Sequence, residues 1–234
     1  MRLCFVLILW LFSACQKQTS AVPAPLVFSA QGSATAINTF LALGDSYTMG
    51  EGVYDLERFV NQTIQILSQD GIVVLPPKYI AGNGWTTGHL RLGIEYERPV
   101  RHNIVTLLIG VNDQNLGSDL QIYREGFDVL LNKAIELAYG KSNHVFVLSI
   151  PDYSVTPRLR YADTANIRME IDMFNAVNKS VTELYGCKYL DITELTREAR
   201  YDPSLISSDG LHPSGKDYAR WAKLLAPMIS QVIK

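Results

Sequence analysis

The chain contains few of the residues that build disulfide frameworks and metal centres. Its 234 residues include only three cysteines and four histidines, and the histidines are scattered along the sequence. A protein metal site needs several ligands clustered at suitable spacing. The sequence therefore predicts neither a metal site nor a bound cofactor.

Excess positive charge and long apolar runs are also missing. The formal net charge is −2 at pH 7 and the pI is near 6.1, so nucleic acid is not an expected partner. With 47% hydrophobic and 19% charged residues, the chain can form one domain with a substantial core. We find no internal repeat that would predict a repeat architecture, and we expect a monomer.

The N-terminus has the layout of a secretory signal peptide. Met1 and Arg2 precede the apolar run Leu3 to Phe12, which is followed by Ser13-Ala14-Cys15. An apolar run of ten residues is too short to span a bilayer. A cysteine directly after small residues resembles the bacterial lipobox, in which the cysteine is acylated and becomes the new N-terminus. We therefore predict a signal peptide over 1–14 and lipid attachment at Cys15.

The segment that follows is typical of a flexible tether. Residues 15–38 are rich in Ala, Ser, Thr, Pro and Gln, and the folded domain is predicted over 39–234. Gln16 beside the cysteine favours an outer-membrane lipoprotein, anchored in the membrane through its lipid. An ordinary periplasmic or secreted form is the alternative.

Two short motifs near opposite ends of the chain suggest nucleophilic catalysis. Gly44-Asp45-Ser46 ends the apolar run 40–43, and Asp209 precedes His212 by three residues near the C-terminus. A serine at the end of a buried strand can expose its hydroxyl, and a histidine held by an aspartate can deprotonate it. The alternative for the first motif is a plain strand-to-helix turn in which Asp45 or Ser46 caps the helix.

Two further segments supply groups that acyl transfer requires. Gly84 lies in the stretch 81–87, and Asn112 lies in the tetrapeptide Gly110-Val111-Asn112-Asp113 after the apolar run 104–109. A glycine N–H and an asparagine amide are suitable donors to the oxyanion of a tetrahedral intermediate. Gly82 is an alternative to Gly84 if the register of this segment shifts by two.

These four segments, in this order, resemble the four blocks of an SGNH hydrolase of the GDSL lipase and esterase superfamily. The resemblance covers roughly residues 39 to 232. It implies that Ser46 is the nucleophile, His212 the general base and Asp209 the residue that orients this base. It further implies an oxyanion hole formed by the Ser46 N–H, the Gly84 N–H and the Asn112 side chain. Tyr47 departs from the pattern, because many members carry leucine or isoleucine at this position.

The resemblance implies an ester hydrolase that works through an acyl-serine intermediate. Family members cleave lysophospholipids, thioesters, simple esters and acetyl groups on polysaccharides, so fold and triad do not select the substrate. We expect short-chain acyl or acetyl esters of small molecules or polysaccharides, because no long apolar segment remains to form a lipid-binding lid. A lysophospholipase, a thioesterase and an acyltransferase with the same site are the alternatives.

Short apolar runs alternate with helical patterns along the chain, which predicts a parallel sheet covered by helices. The resemblance suggests a flavodoxin-like three-layer α/β sandwich with helices on both faces and strand order 2-1-3-4-5. The strands are predicted at 39–43, 78–81, 104–109, 145–150 and 187–190, and the helices at 56–69, 87–96, 120–139, 166–185 and 216–233. In such a sheet, ligands bind at the carboxyl ends of the strands, where the four motifs fall.

Other residues near the motifs receive structural interpretations. We expect His89 to be solvated or to cap a helix, Asp113 to make structural hydrogen bonds, and Cys187 to be a small buried hydrophobic residue. The loop from Pro151 to Asp163 follows the fourth predicted strand. It either lines the cleft with Tyr153, Pro157 and Tyr161 or is solvated.

Overall fold

The computed structural model describes residues 37–233 and forms an α/β fold around a five-stranded parallel sheet. Two of the seven strands, β1 and β3, pair with each other outside this sheet. The order of the main sheet is β4-β2-β5-β6-β7, which confirms the predicted order 2-1-3-4-5. The strands are β1 (Ile37–Asn38), β2 (Phe40–Gly44), β3 (Val73–Val74), β4 (Lys78–Ala81), β5 (Ile104–Leu108), β6 (Val145–Leu148) and β7 (Lys188–Leu190).

The five long helices lie where the sequence predicts them, with ends that differ by a few residues. Three short helices, α1, α4 and α7, lie outside the five predicted helical ranges, although a helix at α1 was the alternative interpretation of the Gly44-Asp45-Ser46 motif. The helices are α1 (Ser46–Met49), α2 (Phe59–Gln69), α3 (Thr87–Glu97), α4 (Val111–Asn115), α5 (Leu120–Leu137), α6 (Thr164–Leu184), α7 (Thr193–Arg197) and α8 (Gly215–Ser230). None of them is both long enough and apolar enough to cross a membrane.

The central strands are apolar because helices cover the sheet on both faces. Every residue of β2, β5 and β6 is buried, as expected for central strands of a parallel sheet. The edge strands β4 and β7 carry exposed lysines, Lys78 and Lys188. Among the helices, α5 packs against α3 and α6, while α2 packs against α8.

Aromatic side chains join α2 to α8. The Phe59 ring centroid lies 6.2 Å from that of Tyr218 and 5.9 Å from that of Trp221. The Trp221 indole N–H donates to the Asp217 carboxylate at 3.2 Å. The contacts of the Phe59 ring with α8 hold the C-terminal helix, and with it the loop that precedes this helix, against the N-terminal part of the described fold.

Two glycines of the predicted motifs, Gly44 and Gly110, lie where the backbone passes too close to other groups for a side chain to fit. A Cβ at Gly44 would lie 2.4 Å from the Leu108 carbonyl oxygen and 2.1 Å from the Thr48 hydroxyl. Gly110 has a φ of +127°, and a Cβ there would lie 2.2 Å from the Tyr123 hydroxyl. At both positions a side chain would displace the turn that follows a central strand.

The predicted leader and Cys15 lie outside the described residues, as does most of the predicted tether. Ile37 and Asn38, its last two residues, pair in parallel with Val73 and Val74. The signal peptide, the lipid attachment and the domain boundary therefore stay predictions.

A buried aspartate caps the helix that begins directly after β2. The Asp45 Oδ1 atom accepts the Tyr47 N–H at 3.0 Å, which confirms the capping role considered from the sequence. Its Oδ2 atom is buried and has no hydrogen-bond partner among residues 37–233. Burial raises the pKa of Asp45 to about 8, and the nearby Asp113 charge acts in the same direction, while the Tyr47 N–H opposes them. The carboxyl group is therefore mostly protonated at neutral pH.

We predict that Asp45→Asn stabilises the protein above neutral pH. The unfolded chain loses the Asp45 proton near pH 4, but the folded chain retains it up to about pH 8. The free energy of unfolding therefore falls as the pH rises between these values. Asparagine is a neutral replacement of the same shape, so two pKa values about four units apart, at about 1.4 kcal/mol per unit, imply a gain of about 5 kcal/mol at pH 8 and no gain at pH 4.

Urea unfolding of both proteins between pH 4 and pH 9 tests this expectation. Asp70→Asn, at an exposed position, is the control and should leave the pH dependence unchanged. Parallel curves for the wild type and Asp45→Asn would contradict the assignment.

Candidate active site

Three side chains from distant parts of the sequence form one hydrogen-bonded chain. The Ser46 Oγ atom lies 3.0 Å from His212 Nε2, and these residues are 166 positions apart. The other ring nitrogen, Nδ1, lies 2.6 Å from Asp209 Oδ2. The structure thus brings together the three residues predicted to be catalytic.

Local structure holds each of these three hydrogen-bonded residues in place. Ser46 is the first residue of α1 and directly follows the turn that ends β2. Asp209 and His212 lie in the loop before α8. The Asp209 Oδ1 atom accepts hydrogen bonds from the Ser207 hydroxyl at 2.8 Å, the Leu211 N–H at 2.8 Å and the His212 N–H at 3.0 Å.

The electrostatics of Asp209 determine which histidine nitrogen carries the proton. Partial burial raises its pKa, but hydrogen bonds from the His212 ring, the His212 and Leu211 N–H groups and the Ser207 hydroxyl lower it to about 2. An ionised carboxylate only accepts hydrogen bonds, so Nδ1 must donate. In the neutral imidazole, Nε2 then has a free lone pair that faces the Ser46 hydroxyl.

The other two predicted oxyanion donors, Gly84 and Asn112, lie on the same cleft as Ser46. Gly84 has a φ of +74° in the turn between β4 and α3, and Asn112 is the second residue of α4, after β5. The Asn112 Nδ2 atom donates to the Trp85 carbonyl oxygen at 2.9 Å, which leaves its second hydrogen for another acceptor. Gly82, the alternative, lies against the Trp85 ring, where a Cβ would approach to 2.4 Å.

The cleft has a volume of about 520 Å³ and is open to solvent. It combines hydrogen-bonding groups with a few apolar side chains. Its walls are formed by Ser46, Tyr47, Glu51, Asn83, Gly84, Val111, Asn112, Asn115, Tyr153, Arg158, Leu159, Asp209, Leu211 and His212.

Sequence reasoning missed several of these polar residues. The Asn83 amide donates to the Glu51 carboxylate at 2.6 Å and so connects the loops that follow β2 and β4. Both residues lie close in sequence to predicted motifs, and this proximity was the available signal. Nothing in the sequence distinguishes Arg158 from the other arginines.

The loop after β6 lines the cleft, as one of the two interpretations expected; of the three predicted side chains, Tyr153 lines it, whereas Pro157 and Tyr161 do not. Tyr153 is buried, and its hydroxyl donates to Gln114 Oε1 at 2.8 Å. Arg158 and Leu159 complete this wall. Tyr161 is 90% exposed and is not part of it.

The structural interpretations of three further residues are confirmed. Asp113 accepts hydrogen bonds from the Thr87 hydroxyl at 2.6 Å and the Thr87 N–H at 3.0 Å. Burial raises the pKa of Asp113, whereas these hydrogen bonds act to lower it. The His89 ring caps α3 through Thr86. Cys187 is buried, and burial raises the pKa of its thiol to about 12.

A family model and solved structures both resemble this chain. The model of the GDSL-like Lipase/Acylhydrolase family matches residues 42–220. A member of the lipolytic protein G-D-S-L family from Veillonella parvula is 20% identical, with a TM-score of 0.62 over 84% of this chain and 98% of that one. A lipase/acylhydrolase from Enterococcus faecalis is 19% identical, with a TM-score of 0.61 over 83% and 96%.

A third structure, an acetyl xylan esterase from Geobacillus stearothermophilus, is 18% identical, with a TM-score of 0.58 over 82% of this chain and 94% of that one. At such identities the structures show a shared fold alone. No curated protein matches the sequence. The family model, however, covers well over half of the chain. The chain therefore belongs to the GDSL-like lipase/acylhydrolase family and is a hydrolase that acts on ester bonds.

Proposed function

We propose that the protein hydrolyses carboxylic esters through a covalent acyl-serine intermediate, with Ser46, His212 and Asp209 as its catalytic triad. The observation that carries this proposal is the hydrogen-bonded chain from Ser46 Oγ through His212 to Asp209. It reaches solvent through the cleft described above. A nucleophile, a base and an orienting carboxylate within hydrogen-bonding distance are what acyl transfer requires.

In the first half of the reaction, His212 Nε2 takes the proton of Ser46 as Oγ attacks the ester carbonyl. The tetrahedral intermediate collapses when the same nitrogen returns that proton to the leaving alcohol oxygen. Asp209 stays ionised and accepts the Nδ1 hydrogen, which stabilises the imidazolium while it exists. The alcohol leaves, and the acyl group remains on Ser46.

In the second half, His212 Nε2 takes a proton from water, whose oxygen attacks the acyl-serine carbonyl. The second tetrahedral intermediate collapses with return of that proton to Ser46 Oγ, and the carboxylic acid is released. The bond cleaved in this half is the one that Ser46 formed in the first half. The enzyme therefore returns to its initial protonation state.

The developing oxyanion would be held by the Ser46 N–H, the Gly84 N–H and the Asn112 amide. Ser46 begins a helix, and the first N–H groups of a helix have no partner within it. The bond from Asn112 to the Trp85 carbonyl fixes the amide relative to the turn that carries Gly84. Donors held in place before reaction avoid the cost of reorganisation in the transition state.

The cleft favours short acyl groups joined to a polar alcohol. Glu51, Asn83, Asn115 and Arg158 supply hydrogen-bonding groups to its walls, while side chains such as Val111 and Leu159 supply apolar surface. Hydroxyl groups of a small molecule or of a polysaccharide can pair with such polar groups, whereas a long alkyl chain cannot.

The proposed location follows from the sequence of the leader. We propose export and lipid attachment at Cys15, most simply in the outer membrane, because several acyl chains give stable membrane anchoring. The expected result is a mature N-terminal peptide that begins at acylated Cys15, as measured by mass spectrometry of the native protein. Cys15→Ser should block this processing, and an unmodified Cys15 in the native protein would reject lipidation.

The triad assignment predicts a strict ranking of variants. Ser46→Ala and His212→Ala should lose covalent turnover and retain only the residual activity that binding and oxyanion donors provide. Asp209→Ala should retain more activity, because the imidazole remains. Asp113→Ala should act mainly on stability, because it removes the hydrogen bonds to Thr87 and no group that carries a reacting proton.

The measurement is kcat/KM on p-nitrophenyl acetate for purified variants whose folding is verified by circular dichroism. Asp113→Asn is the matched control for Asp209→Asn, since both remove one carboxylate at constant size. A folded Ser46→Ala protein with near wild-type activity would overturn the proposed function. A folded, inactive Asp113→Asn beside an active Asp209→Asn would show that the acid is misassigned.

The cleft predicts that turnover falls as the acyl chain lengthens. We expect p-nitrophenyl acetate and butyrate to be hydrolysed faster than the palmitate, in detergent-free buffer below the aggregation concentration of each ester. An added alcohol in the same assay separates hydrolysis from acyl transfer, because a transferase would divert most product to the new ester. Faster cleavage of the palmitate would refute the preference for short chains.

A further inference from the structure

We propose that Tyr47 is a positioning residue whose aromatic ring holds His212 in its reactive orientation, above all during deacylation. The inference rests on the proposed function and adds to it a residue outside the triad and the oxyanion hole. Tyr47 follows Ser46 directly, and its side chain is 3% exposed. Its ring centroid lies 5.5 Å from that of the His212 imidazole, with the planes inclined at 67°.

The two hydrogen bonds of the imidazole lie at opposite sides of its ring, and in this protein an aromatic side chain, where many family members carry leucine or isoleucine, adds a lateral contact. One hydrogen bond runs from Nδ1 to Asp209 and the other from Nε2 to Ser46. Together they fix a line through the ring, but they restrain rotation about that line only weakly. An edge-to-face aromatic contact restrains this rotation, and such pairs favour the inclination seen here.

The contact matters most after Ser46 has been acylated. The acyl-serine oxygen no longer has a proton to donate, so the hydrogen bond between Ser46 and Nε2 is lost. The ring is then held by Asp209 and by its packing against Tyr47. Nε2 must still face the position of the attacking water, so deacylation depends on Tyr47 more strongly than acylation does.

Tyr47 is itself fixed by contacts on both sides. Its N–H donates to Asp45 Oδ1 at 3.0 Å, and its carbonyl oxygen accepts the Tyr218 hydroxyl at 3.0 Å. Its ring also lies 6.5 Å from the Trp221 ring on α8. The Tyr47 ring is therefore held beside the imidazole by contacts that do not involve Ser46 or Asp209.

The ring, and not the hydroxyl, is the part that acts. Within the part of the chain that the structure describes, the Tyr47 hydroxyl makes no hydrogen bond. Burial raises the pKa of this hydroxyl well above its ordinary value, with smaller contributions from Asp45, Tyr153, Asp152 and Asp209, so it stays protonated and supplies no charge. Phenylalanine therefore preserves the proposed contact, whereas leucine removes it.

Stopped-flow kinetics with p-nitrophenyl acetate test the proposal on Tyr47→Leu and Tyr47→Phe. The p-nitrophenol burst reports acylation, and the steady state that follows reports deacylation. We expect Tyr47→Leu to slow deacylation by about 10-fold and acylation by much less, so that acyl-enzyme accumulates, an effect on the scale of general-base positioning. Tyr47→Phe should restore the deacylation rate that Tyr47→Leu loses.

Phe59→Leu is the matched packing control. It makes the same ring-to-leucine change within the buried aromatic contacts of α8, and its ring contacts are with Tyr218 and Trp221. It should lower stability without changing the ratio of the two rates. If Tyr47→Leu does not fold, Tyr47→Met replaces it, because methionine fills more of the ring volume without aromatic geometry.

Four results would contradict the proposal or the function on which it rests. Wild-type deacylation in Tyr47→Leu, or an equal loss in Tyr47→Phe, would overturn the positioning role. An equal shift of the rate ratio in Phe59→Leu would also overturn it, by showing a general packing effect. Turnover that survives in Ser46→Ala would instead reject the proposed function itself, and it is measured first.

Discussion

The Asp209 carboxylate is the group on which both the shape and the charge of the site depend. One oxygen accepts hydrogen bonds from the Ser207 hydroxyl and from the N–H groups of Leu211 and His212. The other accepts a hydrogen bond from the His212 ring. The first set folds the loop, and the last bond orients the imidazole. Because one ionised group does both, the loop cannot take its observed form without placing the histidine, and removal of the charge disturbs both together.

The sheet provides the other half of the arrangement. The strand that leads to Ser46 lies between β4 and β5 in the sheet, and these neighbours lead to Gly84 and Asn112. Parallel strands end at the same edge, so the serine lies between its two expected oxyanion donors by topology alone. The packing of α8 against α2 then brings His212 over this edge. The geometry thus follows from strand order and one helix contact.

The apolar runs in the sequence were sufficient to predict alternating strands and helices, and four short motifs indicated the residues that meet at the site, whereas the strand order was implied by the family resemblance that these motifs carry. The sequence was less informative where the outcome depends on burial or on loop conformation. The protonated state of Asp45 follows from complete burial of its carboxyl group, which the sequence does not reveal. The place of Arg158 in the cleft depends on the path of an irregular loop.

Helix ends show the same limit. The apolar pattern of α5 continued to Tyr139, but the helix ends at Leu137. Tyr139 adopts a φ of +58° just before Gly140. Residues other than glycine rarely adopt this left-handed backbone conformation. Local propensity gives no sign of such a residue, because the surrounding structure imposes its conformation.

The separation of 166 residues between Ser46 and His212 also has a consequence for how the molecule is made. Contacts between distant parts of a chain close late, because the loop between them must first be ordered. The sheet and its local helices can form while the C-terminal helix is still undocked, yet such an intermediate has no histidine beside Ser46. Recovery of turnover during refolding would therefore time the last docking step, whereas circular dichroism would follow the earlier growth of secondary structure.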